Sequence, residues 1–274
     1  MKSATSTLYQ QLKTQNGIFL PEIKEPNFYS ANADSNQDLD WYMRLFDSAR
    51  EDDLIGEAST HYTKLPTFPH VAKKISIHNP NVKLIYIIRN PIDRLISHYI
   101  HEWTENNIKV DINEAIHVHP ELVKYSLYHY QIKPYLDCFE RQNMLIVSFN
   151  SLIMNSQQTL QHICNFIGYK QQPIWIKSSN KINQSTERIR KFPMYHYIVE
   201  SELASWFRVT FIPKQIRNNI KRRYQMTSKP HLNEANIDFL KGIFDEDLAQ
   251  LAATFSVADL NCDNFDQHAS KIMR

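Results

Sequence analysis

The order of hydrophobic and polar residues predicts an alternation of strands and helices along much of the chain. Two segments, VKLIYIIR and NMLIVSF, are nearly continuous apolar runs rich in β-branched residues, which is typical of strands buried on both faces. The segments TLYQQLKTQ, IDRLISHYIHEW and SQQTLQHICNFIGY instead repeat their apolar residues at the spacing of one helix face. Strands that alternate with helices predict an α/β fold with a central parallel sheet flanked by helices.

Turn-forming residues indicate where several of these elements begin and end. The pair Asn16-Gly17 predicts the end of the first helix, and Gly168 predicts the end of a later one. After the run VKLIYIIR, Asn90 suits a helix N-cap and Pro91 suits the first helical position. The strand, the tight turn and the following helix therefore form half of a βαβ unit.

The rest of the pattern indicates one domain. The segment LVKYSLYHYQIKPYLDCF predicts one further helix, bent near Pro134, and the polar segment 175–193 predicts a long surface loop. Neither a repeat nor a low-complexity linker divides the chain. With 274 residues, 42% of them hydrophobic, it is long enough to bury one large core. We therefore expect a single domain over residues 1–274.

Composition narrows the class of fold and the cellular location. Only four glycines are present, which argues against a Gly-rich dinucleotide fold and against all-β architectures. Cys138, Cys164 and Cys262 are far apart and odd in number, so they predict free thiols in a reducing compartment. The sequence shows no apolar run of the roughly 18–20 residues of a membrane span and no secretory signal after Met1. We expect a soluble, cytoplasmic protein without a bound metal.

A basic stretch lies within residues 203–233, which contain no acidic residue. Its cationic residues are Arg208, Lys214, Arg217, Lys221, Arg222, Arg223 and Lys229. A solvated helix face and a patch for an anionic ligand, a nucleic acid or a membrane surface both fit this pattern. The formal net charge of only +2 excludes a protein that is basic throughout.

The first residues, MKSATSTL, place small and hydroxyl-bearing residues at the start of the first predicted helix. Open backbone N–H groups and the helix dipole favour a phosphate or sulfate there, and Lys2 adds a mobile positive charge. The Walker A pattern is absent, which argues against an ordinary ATP or GTP loop. A plain helix start capped by serine and threonine is the alternative.

A second candidate anion site lies at the end of the strand VKLIYIIR. Arg89 follows its carboxyl end, where ligands bind in open parallel sheets, and Ser97 lies eight residues later on the next helix. The guanidinium and the hydroxyl can share one phosphate. The alternative is an ion pair between Arg89 and Asp93, with Ser97 only packed.

Together these segments resemble the cofactor motifs of the sulfotransferases that use 3′-phosphoadenosine 5′-phosphosulfate (PAPS). MKSATSTL is similar to the 5′-phosphosulfate loop, and IIRNPIDRLISHY is similar to the 3′-phosphate element. KEPNFY, GEASTHYTKLP and FNSLIMNSQQTLQHICNFIGY match further family segments in the same order, over roughly residues 1–170. The pattern is most similar to the heparan sulfate or carbohydrate-type and bacterial enzymes. The resemblance implies a three-layer P-loop-like fold in which the phosphosulfate loop follows a strand. Because only Met1 precedes Lys2, we expect an N-terminally truncated core whose first strand is missing. A sheet that lacks its central strand is the alternative.

The resemblance also implies which residues bind PAPS, as a co-substrate and without a metal or a nucleic acid. Lys2 would hold the 5′-phosphosulfate and stabilise charge on the leaving oxygen, while Arg89 and Ser97 would bind the 3′-phosphate that distinguishes PAPS from ATP. The residues implied to contact the cofactor are Lys2, Ala4, Thr5, Ser6, Thr7, Arg89, Ser97, Arg188 and Arg190. Ala4 stands where the family usually has glycine.

Glu25, in KEPNFY, corresponds to the general base of the heparan sulfate-type branch. A carboxylate within hydrogen-bond reach can take the proton of an acceptor hydroxyl. Burial among neighbours such as Tyr29 would have to raise the pKa of Glu25, and Lys24 would oppose that shift. Glu57 and His61 are further candidates for the base.

Departures from the family pattern bear on the acceptor. Thr60 stands where the family has proline, and Ala58 where heparan-type enzymes carry lysine. The catalytic histidine and the late R-K-G-x-x-G-x-W loop of cytosolic aryl sulfotransferases are missing, which favours a carbohydrate-like hydroxyl, or an amine, over a phenol. The implied reaction is an in-line sulfuryl transfer with a carboxylate base. The alternatives are a kinase-like nucleotide enzyme and a non-catalytic module that binds a polyanion or a membrane surface through the basic stretch.

Overall fold

Parallel strand pairs covered by helices form the part of the chain that the structure describes. This computed structural model describes residues 3–31, 38–177, 190, 225–226, 228–257 and 259–272. The strands are β1 (Ile18–Phe19), β2 (Leu54–Ile55), β3 (Leu84–Ile88) and β4 (Met144–Ser148). The helices of these residues, numbered in chain order, are α1 (Thr5–Lys13), α2 (Leu39–Arg44), α3 (Val71–His78), α4 (Pro91–Thr104), α5 (Ile112–Val118), α6 (Pro120–Lys124), α7 (Tyr128–Cys138), α8 (Phe149–Met154), α9 (Ser156–Phe166), α10 (Glu234–Thr254) and α11 (Phe265–His268).

Both strand pairs are parallel, as the alternation of strands and helices predicts. β1 pairs with β2, and β3 pairs with β4 over their full lengths, from Leu84 opposite Met144 to Ile88 opposite Ser148. The connection from β3 to β4 contains helices α4 to α7, which is the crossover that parallel pairing requires. The βαβ arrangement expected after VKLIYIIR is therefore confirmed.

The strands β3 and β4 separate two apolar cores. Ile85 and Ile87 pack in a core that includes residues of α1, α8 and α9, whereas Tyr86 and Ile88 point to the opposite core, built with α3, α4, α7 and α10. Successive strand residues point to opposite faces, so a strand covered on both sides needs apolar residues throughout. This explains the continuous apolar runs and confirms the three-layer α/β fold.

Local sequence signals mark the start of α4 and the turns that follow α1 and α9. The Asn90 side chain accepts hydrogen bonds from the backbone N–H groups of Ile92 and Asp93, and Pro91 is the first helical residue, as predicted. Gly17, with φ +90°, and Gly168, with φ +81°, adopt the left-handed conformation after α1 and α9. Glycine adopts this conformation without a steric penalty, and Gly168 ends α9 as expected, whereas α1 already ends at Lys13, four residues before Gly17.

The expectation of one bent helix over LVKYSLYHYQIKPYLDCF is wrong. The segment forms α6 and α7, which are separated by residues 125–127, and Pro134 lies within α7. The buried carboxylate of Asp247, on α10, accepts hydrogen bonds of 2.9 Å from the backbone N–H groups of His129 and Tyr130. A carboxylate from a distant helix thus satisfies the start of α7, where the free N–H groups favour negative charge.

Several sequence expectations concern residues outside the described ranges. Lys2 and Arg188 lie outside them, as does nearly all of the basic stretch, of which only Lys229 is described among the cationic residues. Of the predicted loop 175–193, only residues 175–177 and Arg190 are described. No helix within the described ranges has the length and hydropathy that crossing a membrane requires.

Candidate active site

The start of α1 is a helix N-terminus without a capping side chain. Ala4, the N-cap, has φ 61° and ψ 24°, which is left-handed, and its side chain offers no hydrogen bond to the helix. The first turn contains Thr5, Ser6 and Thr7 and no acidic residue. Its backbone N–H groups and the positive end of the helix dipole are therefore suited to an anion.

Ala4 adopts a conformation that favours glycine, the residue usual in the family. We expect Ala4→Gly to raise the free energy of unfolding by about 0.5–1 kcal/mol, because relief of the left-handed conformation exceeds the extra chain entropy of glycine. Ala249→Gly, at an exposed position inside α10, is the matched control and should lower it by about 1 kcal/mol. Urea denaturation measures both. An equal loss in both variants would contradict strain at Ala4.

Arg89 is held at the carboxyl end of β3 by a buried tyrosine. The Tyr128 hydroxyl accepts a hydrogen bond from the Arg89 backbone N–H at 3.2 Å and donates one to the Arg89 carbonyl at 2.5 Å. Tyr128 is only 2% exposed and begins α7. Because α7 is itself bound to Asp247 of α10, the position of Arg89 depends on two helices that are distant in sequence.

The guanidinium of Arg89 contacts one aromatic ring and one carboxylate. It lies over the Phe149 ring at 4.9 Å, and its Nη2 donates to Asp93 Oδ2 at 3.2 Å. The ion pair considered as an alternative is therefore present. The Arg89 side chain remains 25% exposed, and a guanidinium carries five N–H donors, so the contact with Asp93 leaves donors for a phosphate.

Ser97 lies one turn beyond Asp93 on the same face of α4. Residues i and i+4 of a helix are neighbours, so Ser97 lies next to Asp93, which itself contacts Arg89. Ser97 is partly buried, and its side chain forms no hydrogen bond with another described residue. On the opposite side of β3, Ala4 and Phe149 pack against the same core. The start of α1 therefore lies in the same layer of the fold as Phe149, the residue on which Arg89 stacks.

Arg190 lies against the far end of α4. Its guanidinium is 5.0 Å from the Trp103 ring, its Nη2 donates to the carbonyl of Ile108, and its buried Nε has no partner among the described residues. Consecutive helix residues are about 100° apart, so Trp103 and Ser97 point roughly 120° away from each other. The structure thus brings Arg190 to α4, but to a different face of the helix from Ser97.

The carboxylate of Glu25 accepts two side-chain hydrogen bonds. Lys24 Nζ is 2.5 Å from Oε1, and Thr60 Oγ1 donates to Oε2 at 2.7 Å. Burial raises the pKa of Glu25, but the hydrogen bonds from Lys24 and Thr60 outweigh it and lower the pKa below its ordinary value. The rise in pKa that a base at Glu25 would need is therefore not observed, because the ammonium of Lys24, as considered from the sequence, and the hydroxyl of Thr60 stabilise the ionised form.

The other two candidate bases have different environments. Burial raises the pKa of Glu57, even though Tyr62, Ser59 and Tyr42 donate hydrogen bonds to it. The His61 ring stacks on Phe68 at 4.9 Å, and burial followed by the charge of Lys64 lowers its pKa. Of the two carboxylates, Glu25 is the more accessible, with a side chain that is 31% exposed.

Three residues of this region are absent from the sequence expectations as site residues. Tyr128 fixes the Arg89 backbone, Phe149 stacks on its guanidinium, and Thr60 binds the Glu25 carboxylate. The position of Phe149, directly after a buried strand, is a local signal that could have identified it. The contacts of Tyr128 and Thr60 join residues 39 and 35 positions apart, which no local pattern reveals. Within the described ranges, no group of three or more His, Cys, Asp or Glu side chains is arranged to hold a metal.

A family comparison identifies the chain. The model of the sulfotransferase domain matches residues 1–252, most of the sequence. The chain belongs to the sulfotransferase family. Its similarity to 3-alpha-hydroxysteroid sulfotransferase of Cavia porcellus is 26% identity over 152 residues, which is 54% of this chain and 47% of that protein. Its similarity to Sulfotransferase 2A6 of Mus musculus is 23% identity, over 62% of this chain and 58% of that protein. The chain thus spans about half the length of these curated relatives.

The fold of this family member matches that of a solved bacterial sulfotransferase. The crystal structure of the sulfotransferase from Alicyclobacillus acidocaldarius superposes with a TM-score of 0.65 at 22% identity, covering 94% of this chain and 93% of that one. At this identity the likeness shows the fold alone.

Proposed function

We propose that this sulfotransferase moves a sulfuryl group from PAPS to a hydroxyl of its acceptor. The observation that carries the proposal is Arg89, whose backbone is held by Tyr128 at the carboxyl end of β3 with Ser97 aligned on the next helix. A guanidinium and a hydroxyl in this arrangement fit a 3′-phosphate. The uncapped start of α1, which lies in the same layer of the fold as Phe149, fits the 5′-phosphosulfate.

In the proposed reaction, the acceptor oxygen forms a bond to sulfur as the bond from sulfur to the bridging oxygen breaks. Glu25 takes the acceptor proton, and 3′-phosphoadenosine 5′-phosphate (PAP) leaves. Lys2 and the N–H groups beside Thr5, Ser6 and Thr7 stabilise negative charge on the departing group. Charge stabilisation by oriented donors and the alignment of the reactants supply most of the acceleration in such transfers.

Glu25 is the base that the contacts favour. Its carboxylate is ionised and partly exposed, whereas that of Glu57 is enclosed by three hydroxyl groups. Each of its oxygens accepts one hydrogen bond, from Lys24 or from Thr60, and keeps a second lone pair that can accept the proton of an acceptor hydroxyl. These bonds reduce the basicity of Glu25, so displacement of Lys24 on acceptor binding would restore it.

The acceptor and the location are narrower proposals. The similarity of KEPNFY to the heparan sulfate-type segment favours a saccharide hydroxyl. The names of the relatives make a hydroxysteroid the competing candidate, and a panel of both types of acceptor, with an amine included, separates them. Cys138, Cys164 and Cys262 are all free, which favours a reducing compartment such as the cytoplasm.

The proposed function is tested by a thermal shift with PAP and with ADP. We expect PAP to stabilise the protein, by about 2.7 kcal/mol at 100 times its dissociation constant, because a ligand that binds only the folded state adds its binding free energy. ADP carries both phosphates at the 5′ position and should have little effect. Equal stabilisation by both nucleotides would contradict PAPS specificity and support a kinase-like enzyme.

The same assay addresses the non-catalytic alternative. A polyanion such as heparin that binds through a basic stretch should stabilise the protein in a strongly salt-dependent way, and that effect should be the same in the Lys2→Ala variant. Stabilisation by heparin without any response to PAP would favour a binding module.

A further inference from the structure

The loop that carries Glu25 has an unusual backbone. Glu25, with φ 61°, and Asn27, with φ 56°, are both left-handed and flank Pro26. Residues with a Cβ atom adopt this conformation only at a cost, so the loop keeps its shape only if the surrounding structure holds it. Because the backbone at Glu25 determines where its carboxylate points, the contacts that hold this loop also determine the position of the proposed base.

The segment after β2 provides these contacts. The Glu25 backbone N–H donates to the carbonyl of Ala58 at 3.1 Å, and the Asn27 backbone N–H donates to Ser59 Oγ at 3.0 Å. Farther along the loop, the Tyr29 backbone N–H donates to the Tyr62 hydroxyl at 3.4 Å. Two of the three loop N–H groups are therefore bound by side-chain hydroxyls.

Both hydroxyls pass their own protons to the same carboxylate. A backbone N–H can only donate, so the oxygens of Ser59 and Tyr62 act as acceptors for the loop. Ser59 Oγ then donates to Glu57 Oε2 at 2.9 Å, and Tyr62 also hydrogen-bonds the Glu57 carboxylate. Glu57 is thus the end of two chains of the form N–H···O–H···O that begin at Asn27 and Tyr29. Such chains strengthen when their members polarise one another.

We propose that Glu57 is a positioning residue, which holds the Glu25 loop through the hydroxyls of Ser59 and Tyr62. The Tyr42 hydroxyl of α2 also acts to lower the pKa of this carboxylate, so three hydroxyl groups surround Glu57. This leaves Glu57 occupied as an acceptor and gives it a role that differs from that of a base. The inference rests on the proposed function of Glu25.

The isosteric variant Glu57→Gln tests this arrangement. Its amide keeps the size of the side chain but replaces one acceptor oxygen with an NH₂ donor, which cannot receive a hydroxyl proton. We expect amide hydrogen exchange, measured by NMR, to become at least about tenfold faster at Asn27 and at Tyr29, while the amide of Ile87 in β3 is unchanged. Hydrogen exchange reports such local opening without global unfolding.

Single-chain variants show whether the two chains are separate. Ser59→Ala should accelerate exchange at Asn27 only, and Tyr62→Phe at Tyr29 only, so these variants test the proposal even if Glu57→Gln does not fold. The matched control is Glu22→Gln, which removes the same charge three residues before Glu25, at a side chain that is 91% exposed. Neither amide should respond to it.

The rate of sulfuryl transfer completes the test. In Glu57→Gln we expect kcat to fall about tenfold with an unchanged KM for PAPS, since a small displacement of a catalytic group can cost 10- to 100-fold. Unchanged amide exchange, or faster exchange without a loss of kcat, would overturn the proposal. A wild-type protein that neither binds PAP nor transfers a sulfuryl group would instead overturn the proposed function, and the amide pattern would still decide whether Glu57 holds the loop.

Discussion

Replacing Glu25 with glutamine is expected to slow single-turnover sulfuryl transfer by at least about 100-fold, because a positioned general base commonly contributes 10²–10⁴ to the rate. Glutamine preserves the size of the side chain and can still accept the hydrogen bond from Thr60, but it cannot take a proton from the acceptor hydroxyl. The measurement is the transfer of labelled sulfuryl from saturating PAPS to the best acceptor of the panel.

Further variants distinguish the loss of the base itself from a disturbance of the groups around it. Glu57→Gln should lose only about tenfold if it positions the loop. Glu22→Gln, which removes an exposed carboxylate three residues before Glu25, should retain the wild-type rate. Binding of PAP should be the same in Glu25→Gln and the wild type. A wild-type transfer rate in Glu25→Gln would reassign the base to Glu57 or His61, and His61→Ala would then distinguish those two.

Removing the Arg89 guanidinium should remove the preference for a 3′-phosphate. In Arg89→Ala we expect PAP to bind roughly 10- to 150-fold more weakly, since a hydrogen bond to a charged group contributes about 1.5–3 kcal/mol. AMP lacks only the 3′-phosphate of PAP, and its affinity should be nearly unchanged by the substitution. Isothermal titration calorimetry with both nucleotides measures this difference directly.

Arg141 provides a matched control for the loss of an arginine that stacks on phenylalanine. Its guanidinium lies 4.7 Å from the Phe255 ring, compared with 4.9 Å between Arg89 and Phe149. Arg141→Ala should therefore remove a similar stacking contact and leave PAP binding unchanged. If Arg89→Ala weakened AMP and PAP equally, Arg89 would act on the 5′ end or on the fold rather than on the 3′-phosphate.

Thr60 departs from the family pattern and contacts the proposed base. From the sequence, Thr60 in place of proline only weakens the resemblance near the acceptor site. In the structure its hydroxyl binds Glu25 at 2.7 Å, and together with Lys24 it holds the carboxylate ionised. Proline cannot donate this hydrogen bond, so this chain stabilises its proposed base in a way that the usual family residue does not permit.

Local pattern by itself determined the alternation of strands and helices, the turn from β3 into α4 and the places of Arg89 and Ser97 along it. These features depend on residues that are neighbours in sequence: a two-sided apolar strand, an Asn-Pro helix start and an i to i+4 helix face. The prediction of one bent helix failed because a carboxylate of α10, over 100 residues away, binds the start of α7.

Only the tertiary structure decided how the candidate site is held. It placed Tyr128 on the Arg89 backbone, Thr60 on the Glu25 carboxylate and the hydroxyls of Ser59 and Tyr62 between Glu57 and the Glu25 loop. These contacts join segments that are 32 to 39 residues apart. The protonation of the carboxylates and the direction of these hydrogen bonds depend on burial and on which donors surround each group. A pattern of neighbouring residues gives no information about either.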